Sequence, residues 1–418
     1  MKKLPFILII GAYFFIYTLY NLNSSYDKVI PQLLVLSFLN LISFSYLILK
    51  YSITDVYSLL RKKNIILLYL GFIVVSGISI LIANNKAESL ITFSTYLTFF
   101  FSLISIFLIV KKQKLDIINI FLVFCLGSLI IDSLYILSSL VQDVIIDGNT
   151  FSRSNKYRGF TGNINITAFM LTMKSPVIIY FLFKHQKNRL KVCLLSLTLL
   201  IVVVSIFILL SRGAFIAFSL SIFLLIIYFF IKSSYSKFFL PTICIPVILI
   251  GYFISSSLID SKGTSVINDR VSSINIDRAD ESIDERLRNY SAALKSISKN
   301  PILGIGIGNW KIENIQYEAK NLEGYRVPNH AHNDFLQVAA ESGLMALIFF
   351  LGFILNPFIF YLKNRLYKES NHVFYLTLIM MSVYIIDSML NFPISRPISH
   401  IFLVFMLVVT MKLKEAYD

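Results

Sequence analysis

Two histidines placed two positions apart offer the clearest chemistry in this sequence of 418 residues. His330 and His332 belong to the stretch PNHAHNDFLQVAAESGL, just before an apolar run that begins at Phe335 and is long enough to enter a membrane. A neutral imidazole, whose ordinary pKa is about 6.5, can accept a proton or a hydrogen bond at neutral pH. Because the pair stands where water would meet lipid, it is the first candidate for a site.

Arginines at the ends of apolar runs are the second candidates. Arg212, in SRGAF, lies between two such runs, where its charge must reach water, a counter-charge or a lipid headgroup. It is either functional or an anchor that snorkels to the membrane surface. In DERLRNY, Arg286 flanks an apolar helical stripe and Arg288 points elsewhere, and surface ion pairs with Asp284 and Glu285 would explain both arginines equally well.

A third polar stretch, YRGFTGNINITAF, opens another apolar run. Its Arg158 and Asn165 either line a polar cavity or belong to simple turn and capping chemistry. The acidic residues of the chain cluster elsewhere, between arginines and without the spacing of a calcium loop: Asp277, Asp280, Glu281, Asp284 and Glu285. We therefore expect a self-paired surface there, and we predict neither a metal nor a cofactor.

Composition identifies an integral membrane protein, since 56% of the residues are hydrophobic and only 15% are charged. The formal charge of +15 could indicate nucleic acid, but basic residues also collect at the cytoplasmic ends of spans. Cys125, Cys193 and Cys244 fall inside apolar runs and suit small core residues, which argues against disulfides and zinc. The N-terminal apolar run lacks a small-residue cleavage site, so we expect a retained first span.

A span needs about 20 mostly apolar residues. By that criterion the chain is all-α, a single integral membrane domain over residues 1–418, with twelve spans near 4–20, 29–49, 65–83, 89–110, 115–140, 164–183, 190–210, 212–231, 239–259, 335–361, 372–390 and 397–413. Asp334, with Gln337 three residues later, fits the N-cap and capping box of the tenth span.

The one large loop, residues 260–334, separates the ninth and tenth predicted spans. Its opening part is polar and expected to be irregular, and helical spacing of apolar residues then predicts an amphipathic helix over 283–298, stopped at Asn300-Pro301. In GIGIGNW the glycines suit a close-packed turn, because a dinucleotide site would need a preceding strand.

Charge supports this topology with both termini in the cytoplasm. Lysines and arginines crowd the segments assigned inside, whereas the short outward loops near 21–28, 84–88 and 391–396 hold only Lys28, Lys86 and Arg396. Much of the net charge is thus a topology signal, and nucleic acid is not an expected partner. The candidate site residues fall on the outward side.

Four blocks in order resemble the O-antigen ligase and polymerase superfamily of membrane glycosyltransferases. HAHNDFLQVAAESGL is similar to its His-Asn-x-x-Leu-Gln…Glu-x-Gly-Leu signature, and the likeness extends to SRGAF, to ERLRNYSAALKSISKNPILGIGIGNW and more loosely to RGFTGNINITAF. The motifs cover about 158–344, and the topology covers the whole chain. Tyr290 stands where the family often has tryptophan.

The resemblance implies a GT-C-like, metal-independent, inverting glycosyltransferase in the bacterial inner membrane. Its donor would be a glycan on polyprenyl diphosphate, and its site would face the periplasm. Arg212, Arg286 and His332 correspond to essential residues of the family. Guanidinium groups suit a diphosphate leaving group, and a neutral histidine can orient an acceptor hydroxyl or take its proton.

The remaining candidates are expected to bind substrate: Arg158, Arg288, His330, Asn333 and Asn165. Ligation to lipid A-core is the first interpretation, polymerisation of repeat units the second and protein O-glycosylation the third. A polysaccharide or lipid transporter is an alternative of another class, disfavoured because the sequence shows no internal repeat.

Overall fold

The computed structural model describes residues 3–21, 29–151, 155–232, 238–260, 265–273, 281–319, 329–364 and 372–415. Every regular element in these ranges is a helix, which confirms the predicted all-α fold. The α-helices are α1 (Leu4–Phe14), α2 (Ile30–Lys50), α3 (Ile53–Leu60), α4 (Asn64–Ile78), α5 (Lys86–Gln113), α6 (Ile117–Leu140), α7 (Ile164–Lys174), α8 (Pro176–Lys184), α9 (Arg189–Ile208), α10 (Arg212–Lys232), α11 (Phe239–Ile259), α12 (Val266–Ser272), α13 (Glu281–Lys299), α14 (Trp310–Glu318), α15 (Asp334–Asn364), α16 (His372–Leu390) and α17 (Pro397–Lys414).

Eleven helical segments in the described part of the chain are long and apolar enough to cross a membrane, one fewer than the twelve predicted. The difference is the first, because α1 has only 11 residues and continues as a 3-10 helix over Ile16–Asn21. At 1.5 Å per residue, α1 is about 16 Å long, roughly half the hydrocarbon core of a bilayer. The other eleven bounds agree with the predictions to within a few residues.

The helices form because the backbone N–H and C=O groups of a segment inside lipid must make their hydrogen bonds within that segment. Several begin at the side chains that the sequence offers for capping. Asn85 accepts from the Glu88 amide at 3.2 Å, and Asn163 accepts from the amides of Asn165 and Ile166 at 2.9 and 3.2 Å. Asn163 thus fixes where α7 starts, just after the Arg158 turn.

The core of the bundle lies around α17, which is buried along nearly its whole length. It packs on α5, while α15 packs on α4, α11 on α9, α2 on α5 and α10 on α16. Buried Lys174 donates to Asp132 at 3.0 Å, which ties α7 to α6 inside the membrane region. Cys125 and Cys244 are buried as expected, but Cys193 is exposed on α9 and is not a core residue.

The two ends of the bundle differ in character. At one end, Glu415 pairs with Lys63 and Lys111 at 2.9 and 2.8 Å. At the other, which carries α12 to α14 and is called the loop end below, the Asn85 amide donates to Asn309 at 2.8 Å. Segments predicted to share a side therefore meet, although the assignment of the loop end to the periplasm stays a prediction.

The described part of the large loop contains a helix that its sequence did not predict. Its opening part was expected to be irregular, yet residues 266–272 form α12. The amphipathic helix is confirmed as α13, over Glu281–Lys299. Its packed face is lined by Asn289, Ala292 and Ala293, all buried, whereas Leu294 of the apolar stripe is 57% exposed. Small side chains allow α13 to approach α15 closely.

Helix α15 is broken at Gly343, where φ is 84° and ψ is 171°. A Cβ atom there would lie 1.9 Å from the carbonyl oxygen of Ile302. The break lets the Leu344 amide donate to Pro301 O at 2.8 Å, and the Ile305 amide donates to Ala340 O at 3.0 Å. The glycine of the motif therefore serves the docking of the GIGIGNW turn on α15.

Gly343→Ala is expected to lower the stability of the fold by about 2 kcal/mol or more, because this backbone region is essentially restricted to glycine and the new methyl group meets backbone atoms. Thermal unfolding in detergent measures the change. Gly127→Ala on α6 is the matched control, since nothing lies within 4 Å of its added Cβ. An unchanged melting temperature for Gly343→Ala would contradict the packing described above.

Candidate active site

The histidine segment is anchored through Glu341, about two turns into α15. Its carboxylate accepts from the Gly308 amide at 2.9 Å, the Trp310 amide at 3.1 Å and the Gln337 side chain at 3.2 Å. Gly308 has a φ of 76°, which suits the predicted close-packed turn. The glutamate of the motif therefore clamps the glycine turn, a role that spacing alone did not reveal.

The start of α15 differs from the predicted capping box. The side chain of Asn333, not Asp334, is the N-cap, since its Oδ1 accepts from the Leu336 amide at 3.1 Å. Asp334 is fully buried and accepts from the Ile394 amide at 2.9 Å, so it holds the turn between α16 and α17. Gln337 accepts from the Ala331 amide at 3.0 Å. The predicted cap was wrong by one residue because Asp334 is used by a distant segment.

His332 sits in an unusual backbone conformation, with a φ of 56°. A non-glycine residue there costs about 1–3 kcal/mol and persists only when its surroundings impose it. The Tyr290 hydroxyl, within hydrogen-bonding distance of His332 O (3.1 Å) and Met389 O (2.7 Å), ties α13 to this segment and to the end of α16. Three elements thus fix where the imidazole lies.

Both histidines are held neutral. Burial, and to a smaller extent the positive charge of Arg286, lowers the pKa of His332 to about 4. Burial, followed by the charge of Arg396, lowers the pKa of His330 to about 3. Nδ1 of His332 is buried without a hydrogen-bond partner among the described residues. Either ring can therefore accept a hydrogen bond at neutral pH.

A small cavity of about 50 Å³, called the arginine cavity below, collects three guanidinium groups at the loop end: Arg212, Arg270 and Arg286. Arg212 donates to Ser273 O and Arg270 to Leu210 O, both at 3.0 Å, so α10 and α12 brace each other. No carboxylate belongs to its lining among the described residues. Three guanidinium groups in one lining suit the binding of an anion.

Two amides complete the arginine cavity, the predicted Asn165 and the unpredicted Asn391. Asn391 is fixed by Asp387, which accepts from its side chain and its backbone amide, each at 2.7 Å. Arg270 was also missed, because nothing in the polar stretch around it distinguishes it from other surface arginines. Its position follows only from the packing of α12.

A second, larger cavity of about 870 Å³, called the polar cavity below, contains the predicted Arg158 and His330. Lys311 and Arg396 also line it, and the sequence had singled out neither as a site residue. The structure therefore divides the predicted residues, with Arg212, Arg286 and Asn165 in one cavity and Arg158 and His330 in the other.

Phe392 stands between the two histidines. Its ring stacks on His330 at a centroid distance of 4.1 Å and meets His332 edge-on at 5.3 Å. The guanidinium carbon of Arg396 lies 5.0 Å from the same ring. Because Asn391 lines the arginine cavity and Arg396 the polar cavity, the turn from Asn391 to Arg396 borders both.

Arg288 lines neither cavity. It pairs with Asp284 one turn earlier on α13, with about a third of each side chain exposed. This part of the acidic cluster is self-paired as expected, while Asp277 and Asp280 lie outside the described residues. Within the described residues, no three His, Cys, Asp or Glu side chains are grouped as metal ligands.

Comparison with known families adds a match over residues 197–351 to a family described as O-antigen ligase. The matched range includes Arg212, Arg286 and His332, together with the glycine turn and the break at Gly343. No curated protein matches the chain significantly. The match over residues 197–351 supports a place for this chain in the O-antigen ligase-like superfamily, and with it O-antigen ligase- or polymerase-type membrane glycosyltransferase activity in general.

Proposed function

We propose that this protein transfers a glycan from a polyprenyl-diphosphate carrier to an acceptor hydroxyl, most simply in ligation to lipid A-core, at the periplasmic face of a bacterial inner membrane. The observation that carries the proposal is the arginine cavity, which Arg212 and Arg286 line from distant helices. His332 lines neither cavity, but the charge of Arg286 acts on its imidazole. Arg270 adds a third guanidinium to the same cavity.

In the proposed reaction, the acceptor oxygen attacks the anomeric carbon while the bond from that carbon to the carrier diphosphate breaks. The bonding electrons leave on the diphosphate oxygen, where Arg212 and Arg286 offset the developing negative charge. One direct displacement inverts the anomeric centre. The proton of the acceptor hydroxyl passes to His332.

Binding of the donor would also tune the histidine. Before the donor binds, burial and the positive charge of Arg286 hold the pKa of His332 at about 4, so His332 is a weak base. A bound diphosphate would offset the positive charge of Arg286 and so raise the pKa of His332 towards its ordinary value. The base would then be strengthened only when the donor is present, which protects the free site from idle protonation.

Deletion of the gene followed by glycan profiling tests the proposal and its alternatives. Ligase function predicts loss of all capped lipid core with accumulation of carrier-linked polymer. Loss of long chains with intact single repeats would instead indicate a polymerase, and altered glycoproteins alone would indicate protein glycosylation. Glycan transfer by the purified protein in detergent would contradict the transporter alternative, because detergent leaves no membrane to transport across.

Transfer is expected to continue at an undiminished rate in the presence of EDTA, because Arg212, Arg270 and Arg286 supply the positive charge that a metal would otherwise provide. The initial rate of the purified enzyme is compared with and without the chelator. Loss of activity that recovers on addition of Mg²⁺ would contradict metal independence.

A further inference from the structure

The polar cavity continues into a second, apolar concavity that the proposed reaction does not yet use. This concavity, called the α2–α5 groove below, has a volume of about 660 Å³. Four residues line both it and the polar cavity: Ile30, Leu33, Ile91 and Thr95. One continuous space therefore leads from a charged chamber at the loop end into the apolar side of the bundle.

The charged chamber is built to receive an anion. Arg158, Lys311 and Arg396 reach it from three separate elements. Its two carboxylates are engaged locally, since Glu88 pairs with Lys311 at 2.7 Å and Glu341 accepts the amides of the glycine turn. Burial is the main cause of the lowered pKa of His330, and the positive charges of Arg396 and Lys311 act in the same direction.

The groove, by contrast, is built to receive hydrocarbon. Three of its hydroxyl groups donate to carbonyls of their own helices: Ser37 to Leu33 O at 2.9 Å, Thr95 to Ile91 O at 3.0 Å and Thr98 to Ser94 O at 2.8 Å. Because these hydroxyls already have hydrogen-bond acceptors, an apolar chain in the groove would leave none of them without a partner. The remaining wall is aliphatic and aromatic, with Phe38 as its largest side chain.

The groove has a defined depth. From Ile30 to Leu41, α2 rises about 16 Å, which is about half of the hydrocarbon thickness of a bilayer. Near its lower end the two helices are joined by Asn40, whose side chain donates to Thr98 O at 3.0 Å and accepts from Ser102 at 3.2 Å. A chain lying in the groove would therefore span one leaflet.

From this continuity we propose that the polar cavity and the α2–α5 groove bind the acceptor as a lipid-anchored molecule, its anionic head in the cavity and one hydrocarbon chain in the groove. The inference rests on the proposed function, which assigns the donor diphosphate to the arginine cavity and so leaves the polar cavity for the acceptor. Phe392 and its turn, which border both cavities, then lie between the two substrates. In this arrangement the acceptor enters the site laterally, from the lipid bilayer through the α2–α5 groove.

Photolabelling tests the site without requiring transfer. Full-length protein in nanodiscs of a zwitterionic phospholipid is labelled with hexadecyl phosphate carrying a photoreactive group on its chain, and labelled peptides are mapped. We expect saturable labelling of α2 and α5, reduced about tenfold or more in Arg158→Gln/Arg396→Gln, since charge-assisted hydrogen bonds are lost. The analogous hexadecanol probe, which lacks the charge, should label α2 and α5 no more than other lipid-facing helices.

A groove-filling variant provides the second arm. Thr95→Phe should reduce labelling of α2 and α5 about tenfold. The matched control is Val123→Phe on α6, where Val123 is 59% exposed, and this change should leave the labelling unchanged. Uniform labelling of all lipid-facing helices, or labelling indifferent to the two arginines, would overturn the site. Equal competition by phosphatidylglycerol would reduce it to an ordinary lipid contact and would also overturn the proposal.

Competition identifies which substrate the site takes. Farnesyl diphosphate, a short analogue of the donor carrier, should leave the labelling unchanged at concentrations that inhibit transfer, and displacement of the label would assign the groove to the donor and overturn the acceptor assignment. The two hypotheses also fail separately. Labelling without any glycan transfer would refute the proposed function while leaving an anionic lipid site, and transfer without labelling would refute the site alone.

Discussion

Replacing His332 by alanine is expected to reduce glycan transfer by about 100- to 10,000-fold, the usual contribution of a positioned general base. Membrane insertion and donor binding should be largely retained, because His332 is not among the residues that line the arginine cavity, where the donor diphosphate would bind. The measurement is the initial rate of transfer by the purified variant, together with its affinity for the polyprenyl-diphosphate donor.

Two companion variants separate chemistry from backbone strain. His332→Asn keeps a residue type that tolerates a positive φ, so it should fold as well as the wild type yet remain inactive. His185→Ala is the matched control, since His185 stacks on Phe181 between α8 and α9, away from both cavities, and should retain full activity. Turnover near the wild-type value in His332→Ala would remove this residue from the mechanism.

Arg286→Lys is expected to reduce transfer by about 10- to 100-fold even though the positive charge is kept. A lysine ammonium is a point charge and cannot form the two parallel hydrogen bonds by which a guanidinium holds a phosphate. Arg286→Gln, which also loses the charge, should be more severely impaired. Full activity in the lysine variant would indicate that Arg286 is only part of a surface ion-pair network. Arg288→Lys, outside both cavities, is the matched control on the same helix.

Arg286→Gln and Arg286→Lys should differ in the pH dependence of transfer. Neutral imidazole is the active form, so activity falls as pH drops through the pKa of His332, and kcat/KM of the wild type should hold down to near pH 4. In Arg286→Gln the nearby positive charge is gone, so the pKa rises and the acid limb moves to higher pH. It should stay below the ordinary value of about 6.5, because burial is the larger cause.

Arg286→Lys keeps the charge, so its acid limb should remain at the wild-type position while its rate falls. The profiles of kcat/KM between about pH 3 and pH 8 measure this, since they report the free enzyme. An acid limb near pH 6.5 in the wild type, or identical limbs in both variants, would contradict the coupling of Arg286 to His332.

Much of the fold could be predicted because the membrane imposes a local rule. Each stretch of about 20 apolar residues must satisfy its own backbone, so eleven of the twelve expected spans match helices of the structure. The exception, α1, shows the limit of the rule. Apolar composition continues through Ile16–Asn21, but the chain tightens into a 3-10 helix there, and hydropathy does not register that change.

The side chains of the site were less predictable, since they depend on contacts between distant segments. Asp334 was predicted as a cap from its position before α15, yet it holds the turn that begins 57 residues later, at Asn391, and Asn333 takes the cap. Glu341 and Gly343 stand in a motif, but their use in docking the glycine turn is visible only in the packed fold.

The sequence by itself determined that the chain is a helical membrane protein and, through its resemblance to a known family, which three residues to consider first: Arg212, Arg286 and His332. Only the tertiary structure decided that the polar residues divide between two cavities, and that Arg270, Asn391 and Arg396 join them. The physical reason is that hydropathy and capping act within a few turns of chain. Convergence of charge depends on how whole helices pack, and that is settled by contacts between residues far apart in sequence.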